Sequence, residues 1–181
     1  MTRFGIALLI ALGMASPAFA ADPPANTAAR PAVTAPSTDV FLAKTAVGNL
    51  FEIESSKLAL SKTKTAQVRT FANEMVKDHT EAGAKFKLAV ADAKLKAPAE
   101  TLDAQHQTAM NDLKSKDGAA FDKSYTDDQY RAHVETVDMF QAYADGGDNA
   151  RMKQFAKDML PTLKTHLDHV TKLRGDVALL K

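Results

Sequence analysis

Apolar side chains recur every three or four residues along most of the chain, which is the spacing of one face of an α-helix. Four long segments show this period, and they predict helices over about residues 39–61, 65–94, 119–144 and 148–174. The apolar arc predicted for the first of them consists of Val40, Ala43, Val47, Leu50, Phe51 and Leu58. Four amphipathic helices of this length predict an all-α bundle.

The connections limit how these helices can pack. Only a few residues around 62–64 join the first two helices, and residues 145–148 join the last two, so each pair is expected to form an antiparallel hairpin. Residues 95–118 separate the second helix from the third and contain a predicted short helix over 102–114. The predicted fold is therefore a ferritin-like four-helix bundle with a long connection between helices two and three that contains a short helix. Simple up-down-up-down packing, with the short helix over one end, is the alternative that these lengths allow.

The first 37 residues have a different character. A basic start at Arg3, an apolar run and the small residues 18–20 predict a secretory signal peptide over 1–20 that is cleaved. Residues 21–37 hold four of the seven prolines, which predicts a flexible tether. The bundle domain is predicted over 38–174 and a C-terminal tail over 175–181. We therefore expect an exported, periplasmic protein with no transmembrane segment after cleavage.

The composition narrows the chemistry. The chain of 181 residues has no cysteine, and its 23 basic side chains face 22 acidic ones. The lack of cysteine excludes disulfides and thiolate metal sites, and the charge balance, with no basic block, argues against a nucleic-acid partner. The sequence has no Gly-x-Ser-x-Gly elbow, no phosphate-binding glycine loop and no His-Glu-x-x-His motif, so we expect no enzymatic activity.

Each long helix carries a carboxylate or an imidazole within its apolar arc. These residues are Glu54, His79, His133 and His166, with His169 at the margin of the fourth arc as a substitute. Oxygen and nitrogen ligands on facing helices are how bundle cores hold iron, manganese, zinc or copper. A di-iron centre is disfavoured, because such a centre requires a Glu-x-x-His pair on each of two helices and the chain has no such pair. The spacing permits a site for one transition-metal ion.

Two runs are distinctive: Met-Val-Lys-Asp-His-Thr at 75–80, and Leu-Pro-Thr-Leu at 160–163 followed by His166. With shorter stretches such as 121–125, they resemble the domain-of-unknown-function 4142 family over about residues 38–173. The third helix keeps the histidine of the family's usual Asp-His-Glu but moves the acid to Glu135. The resemblance implies an exported bacterial protein of the ferritin-like superfamily, with outer-membrane association open, and it implies no activity.

Two functions fit these observations. The first is a metal-binding, stress-related protein of the cell envelope that uses the inward glutamate and histidines. The second is a non-enzymatic structural or interaction protein, in which a buried polar cluster only fixes helix packing. In the second case the tether would let the domain reach an envelope protein partner.

Overall fold

A computed structural model of the protein describes residues 34–179. This part of the chain contains five α-helices and no strand, which confirms the all-α class. The helices are α1 (Thr38–Lys62), α2 (Ala66–Asp92), α3 (Ala104–Lys114), α4 (Gly118–Gly146) and α5 (Ala150–Ala178). Side chains fix two of the starts, since Asp103 accepts from the His106 amide and Asn149 accepts from the Met152 amide.

The four long helices pack as neighbours in four pairs: α1 with α2, α4 with α5, α1 with α4, and α2 with α5. The α1–α4 pair is antiparallel, because Phe41 near the start of α1 meets Phe140 near the end of α4, and Ser56 meets Tyr125. The α2–α5 pair is antiparallel as well, as the contacts Phe86 to Phe155 and Asp78 to His166 show.

Helices α2 and α4 face each other across the core and run in the same direction. Phe71 meets Tyr125, and two turns further along both helices His79 meets His133. The connection over residues 93–117 therefore returns the chain along the length of the helices. Helix α3 lies within this connection and packs against α1 and α4.

The core consists of two apolar clusters with a polar layer between them. The first cluster includes Phe41, Phe86, Phe140 and Phe155, and the second includes Met75, Tyr125 and Val170. His79, His133 and His166 each lie between a residue of one cluster and a residue of the other along their own helices. The histidines therefore meet at mid-length of the long helices.

The buried face of α1 differs from the predicted arc. It consists of Phe41, Leu42, Thr45, Ala46, Phe51, Glu52, Ser55, Ser56 and Ala59. Val40, which was predicted to be inward, is 44% exposed. The prediction failed because α3 covers a second side of α1, with the His106 ring 5.0 Å from that of Phe51. Apolar side chains are therefore not confined to one face.

The C-terminal end of the domain lies further along the chain than the predicted boundary at residue 174. Helix α5 continues through residues 175–178 of the predicted tail, because Val177 lies one turn after Leu173 and is buried with it. The predicted signal peptide and residues 21–33 of the predicted tether lie outside the described residues. Among the helices that are described, none is long and apolar enough to cross a membrane.

Candidate metal centre

Three buried histidines meet in the polar layer: His79 from α2, His133 from α4 and His166 from α5. One ring nitrogen of each lies within 4.8 Å of a ring nitrogen of both others. Their residues are 7%, 1% and 2% exposed, respectively. Nitrogens that are 2.0–2.1 Å from a shared ion lie about 3 to 4 Å apart. The three rings could therefore close on one ion through small side-chain movements.

An oxygen acceptor holds one ring nitrogen of each histidine. The pairs are His79 Nδ1 with Asn49 Oδ1 at 3.2 Å, His133 Nδ1 with the Gln129 backbone oxygen at 2.9 Å, and His166 Nε2 with Asp78 Oδ2 at 3.1 Å. Because each acceptor requires an N–H, a neutral ring keeps its lone pair on the other nitrogen. Outer partners of this kind orient imidazoles that bind metals.

The other nitrogen of each ring is buried and unpaired. His79 Nε2, His133 Nε2 and His166 Nδ1 have no hydrogen-bond partner among the described residues. A buried polar atom without a partner costs roughly 1–3 kcal/mol. Three such atoms lie in one layer, and a ligand bound by all three would remove this cost.

Burial also keeps the histidines in the form that binds metals. Burial lowers the pKa of His79 well below 6.5, and the neighbouring His133 and His166 lower it further. Burial likewise lowers the pKa of His133 from 6.5 to about 4. Both rings are therefore neutral at neutral pH, so their lone pairs remain available to a cation.

Glu52 is a buried carboxyl group beside His133, and the sequence-based prediction missed it. Its side chain is 6% exposed, its Oε1 lies 3.7 Å from His133 Nδ1, and its Oε2 is buried without a partner in the described chain. Burial raises its pKa from 4.5 to about 8. A nearby cation would favour the ionised form, in which Glu52 can balance the charge of the ion. The polar stripe of Thr45, Asn49, Glu52 and Ser56, at helical spacing, was the sequence signal for it.

Glu54 does not join the three histidines. Its side chain is 44% exposed and pairs with Lys57 at 3.1 Å. Glu54 lies two positions after Glu52, which at about 100° per residue places the two side chains on opposite sides of α1. Glu52 therefore occupies the inward position that the sequence assigned to Glu54.

His169 lies at the edge of the site. Its side chain is 46% exposed, and its Nδ1 contacts Glu74 Oε2 at 3.0 Å. It is not part of the three-histidine group. Its partner Glu74 belongs with Asp78 and His166 to a second group whose potential ligand atoms lie within 4.8 Å of one another.

The helices and this polar layer define an all-α protein with a histidine-lined candidate metal centre in its core. The family model described as "Domain of unknown function (DUF4142)" matches residues 22–173, and the chain belongs to this family. The resemblance seen in the runs at 75–80 and 160–163 is thereby confirmed. No curated protein and no solved structure matches the chain.

Proposed function

We propose that the protein binds one transition-metal ion through His79, His133 and His166. The observation that carries this proposal is the set of three buried rings, each held by an outer partner and each left with an unpaired nitrogen in the same layer. Imidazole ligands with a carboxyl group nearby suit zinc, copper, iron or manganese. A bound ion would supply positive charge, which Glu52 and Asp78 would balance.

The alternative is a polar cluster that only fixes helix packing. Buried polar groups in such clusters are normally paired with one another or with backbone groups. Here one nitrogen of each ring contacts a backbone or side-chain oxygen. The other nitrogen of each ring has no partner within residues 34–179. This difference favours metal binding over packing alone.

We further propose that the long helices form a ferritin-like four-helix bundle with α3 in its long connection. In simple up-down-up-down packing, α2 and α4 would be antiparallel neighbours. The parallel course of α2 and α4, argued above from the contacts of Phe71 and His79, supports the crossover arrangement instead.

We place this function in the cell envelope. The signal-peptide pattern of residues 1–20 supports export with cleavage before Ala21. Without cysteine, the protein would hold its metal through histidine nitrogen and carboxylate oxygen alone.

The test is metal analysis of protein purified from the periplasmic fraction, with the intact mass showing whether the chain begins at Ala21. The purified protein is then freed of metal with a chelator and reloaded with Zn²⁺, Cu²⁺, Fe²⁺ or Mn²⁺. We expect the reloaded protein to hold about one ion per chain and to have a higher Tm than the metal-free protein. His133→Gln should lower the affinity by more than the roughly 10- to 100-fold that loss of an outer partner costs. His106→Gln removes a histidine at the α3 start, outside the group, and should leave the affinity unchanged.

Folded protein that takes up none of the four ions would contradict the proposal and leave the packing function. Equal losses of affinity in His133→Gln and His106→Gln would also contradict it, because only His133 belongs to the three-histidine group.

A further inference from the structure

A second group of metal-ligating side chains lies beside the three histidines. Glu74 and Asp78, about one turn apart on α2, meet His166 of α5, and potential ligand atoms of these three residues lie within 4.8 Å of one another. His169, about one turn after His166, contacts Glu74 Oε2 through its Nδ1 at 3.0 Å. We call Glu74, Asp78 and His169 the edge cluster. Its carboxylate oxygens and imidazole nitrogens suit the same transition-metal ions as the candidate metal centre.

The edge cluster is open to solvent, whereas the three histidines are not. The side chains of Glu74, Asp78 and His169 are 29%, 24% and 46% exposed, respectively. The three histidines of the candidate metal centre are at most 7% exposed. A hydrated ion can therefore reach the edge cluster directly, but it needs a path through the protein to reach the buried nitrogens.

A cavity of about 40 Å³ between the four long helices supplies such a path. Its wall includes Asp78 of the edge cluster together with His79 and His166. One water needs roughly 10–15 Å³ of such space, so the cavity has room for an ion that keeps part of its hydration shell. His166 also joins the two sites, since its Nε2 contacts Asp78 Oδ2 at 3.1 Å and its Nδ1 is one of the unpaired buried nitrogens.

The charge of the edge cluster attracts a cation. Although partial burial raises the pKa of Asp78, hydrogen bonds from Lys77 and His166 hold it below 3.8, so this carboxylate is ionised at neutral pH. Lys77 pairs with Asp78 Oδ1 at 3.0 Å and also with Glu81 at 3.6 Å. These contacts leave the Glu74 carboxylate and Asp78 Oδ2, the oxygen beside His166, for an arriving ion.

The rest of the cavity wall attracts a cation less. Besides Asp78 and the histidines, its ionisable residues are Lys44 and Glu52. Lys44 would repel a cation, and Glu52 keeps its proton up to about pH 8 in the metal-free protein. Electrostatics therefore favours entry beside Asp78 over entry beside Lys44.

We propose that the edge cluster is the entry site through which a divalent transition-metal ion reaches His79, His133 and His166. The edge cluster binds the arriving ion first. The three histidines then take it over through the cavity beside Asp78. The inference rests on the proposed metal site and specifies how that site fills and empties.

An entry site is recognised by its effect on rates. Kd compares only the free and the fully bound protein, so a change confined to the entry site slows uptake and release by the same factor and leaves Kd unchanged. Glu74 is the residue to test, because it lies outside the three-histidine group. Asp78 is unsuitable, since it also contacts His166.

The experiment measures how fast Co²⁺ enters the metal-free protein, because the visible spectrum of Co²⁺ reports its coordination. Stopped-flow absorbance gives the uptake rate, and a chase with excess chelator gives the release rate. Glu74→Gln should slow both at least about tenfold, with Kd within about threefold of wild type. Glu81→Gln is the matched control. It removes the same charge from an exposed position seven residues further along the same face of α2, and should change both rates less than about twofold.

His169→Gln is a second variant, at an exposed position of α5. Loss of this imidazole should slow uptake and release roughly three- to tenfold, again with unchanged Kd. This variant decides the outcome if Glu74→Gln fails to fold.

The outcomes separate this inference from the metal proposal. Uptake at the wild-type rate in both Glu74→Gln and His169→Gln overturns the inference and leaves the metal site standing. Equal slowing by Glu74→Gln and Glu81→Gln also overturns it, since general attraction by surface charge then explains the rates. Weaker binding at an unchanged uptake rate overturns it as well, because Glu74 would then act on the final complex. Absence of Co²⁺ uptake by the wild type overturns both proposals.

Discussion

At the scale of single residues, each histidine of the candidate metal centre has one nitrogen beside an oxygen acceptor and one that is buried without a partner among the described residues. The partner of His166 is Asp78, at 3.1 Å. Partial burial raises the pKa of Asp78, but hydrogen bonds from Lys77 and His166 outweigh it and hold the pKa below 3.8. Asp78 is therefore ionised at neutral pH and would stabilise positive charge on His166 or on a bound ion.

Glu52 makes the stability of the metal-free protein depend on pH. The folded protein keeps the Glu52 proton up to about pH 8, whereas the unfolded chain loses it near pH 4.5. Its contribution to stability is therefore lost as the pH rises through this range. The Glu52→Gln variant lacks this loss. Between pH 5 and pH 8, its free energy of unfolding should therefore rise relative to that of wild type by on the order of 3 to 4 kcal/mol. Urea unfolding in the presence of a chelator measures this difference.

His133 gives a pH dependence of the opposite sign. Its folded pKa of about 4 lies below the ordinary 6.5, so stability is lost as the pH falls from 6.5 towards 4. Wild type and Glu52→Gln both contain His133, so this contribution cancels in their difference. If the difference in the free energy of unfolding between wild type and Glu52→Gln stays constant from pH 5 to pH 8, Glu52 is not a buried, protonated acid.

At the scale of elements, α1 shows that a buried helix face need not be apolar. Its contacts with α4 include hydrogen bonds between Ser56 and the Tyr125 hydroxyl at 2.9 Å, and from Gln129 to Ser55 at 3.1 Å. All four residues are buried. These bonds fix the position of α1 along α4, and thereby the place of Glu52 beside His133.

The Ser56–Tyr125 bond can be tested by a double-mutant cycle. Tyr125→Phe leaves the buried Ser56 hydroxyl without this partner and should lower the free energy of unfolding by about 1–2 kcal/mol. Adding Ser56→Ala should cost less than the sum of the single changes, because both partners are then removed. Urea unfolding of the four proteins gives the coupling. Strictly additive losses would mean that the hydroxyls do not interact.

At the scale of the whole molecule, the parallel course of α2 and α4 sets which ends lie together. The starts of both helices share one end, since the Thr65 hydroxyl donates to Asp122 Oδ2 at 2.6 Å. In up-down-up-down packing these starts would lie at opposite ends, separated by roughly the 40 Å length of the 27-residue α2.

Spin labels distinguish the two arrangements, and the lack of native cysteine makes the labelling clean. Gln67→Cys and Ala120→Cys place exposed labels on the first turns of α2 and α4. The control pair, Gln67→Cys with Asp145→Cys, spans the length of the domain. Dipolar spectroscopy should give a distance for the first pair that is at least about 10 Å shorter than for the control pair. A longer distance for the first pair would support up-down-up-down packing.

The sequence predicted much of this architecture. The apolar period predicted the ends of the long helices to within a few residues. This works because side chains three and four positions apart share one face of a helix, and that face is buried whatever the helix packs against. The same period marked His79, His133 and His166, since the arcs of α2, α4 and α5 each face a single core. It failed on α1, because α3 supplies a second apolar neighbour that no local pattern reveals.

By itself, the sequence determined the all-α class, the family and three inward histidines, because these depend on local spacing and on recognisable runs of residues. Only the tertiary structure decided that Glu52 rather than Glu54 lies beside the histidines, and that α2 and α4 run parallel. It alone gave each imidazole an oxygen acceptor and left a cavity lined by His79 and His166. These features depend on which side of each helix meets which neighbour, and that is settled by packing among all the helices together.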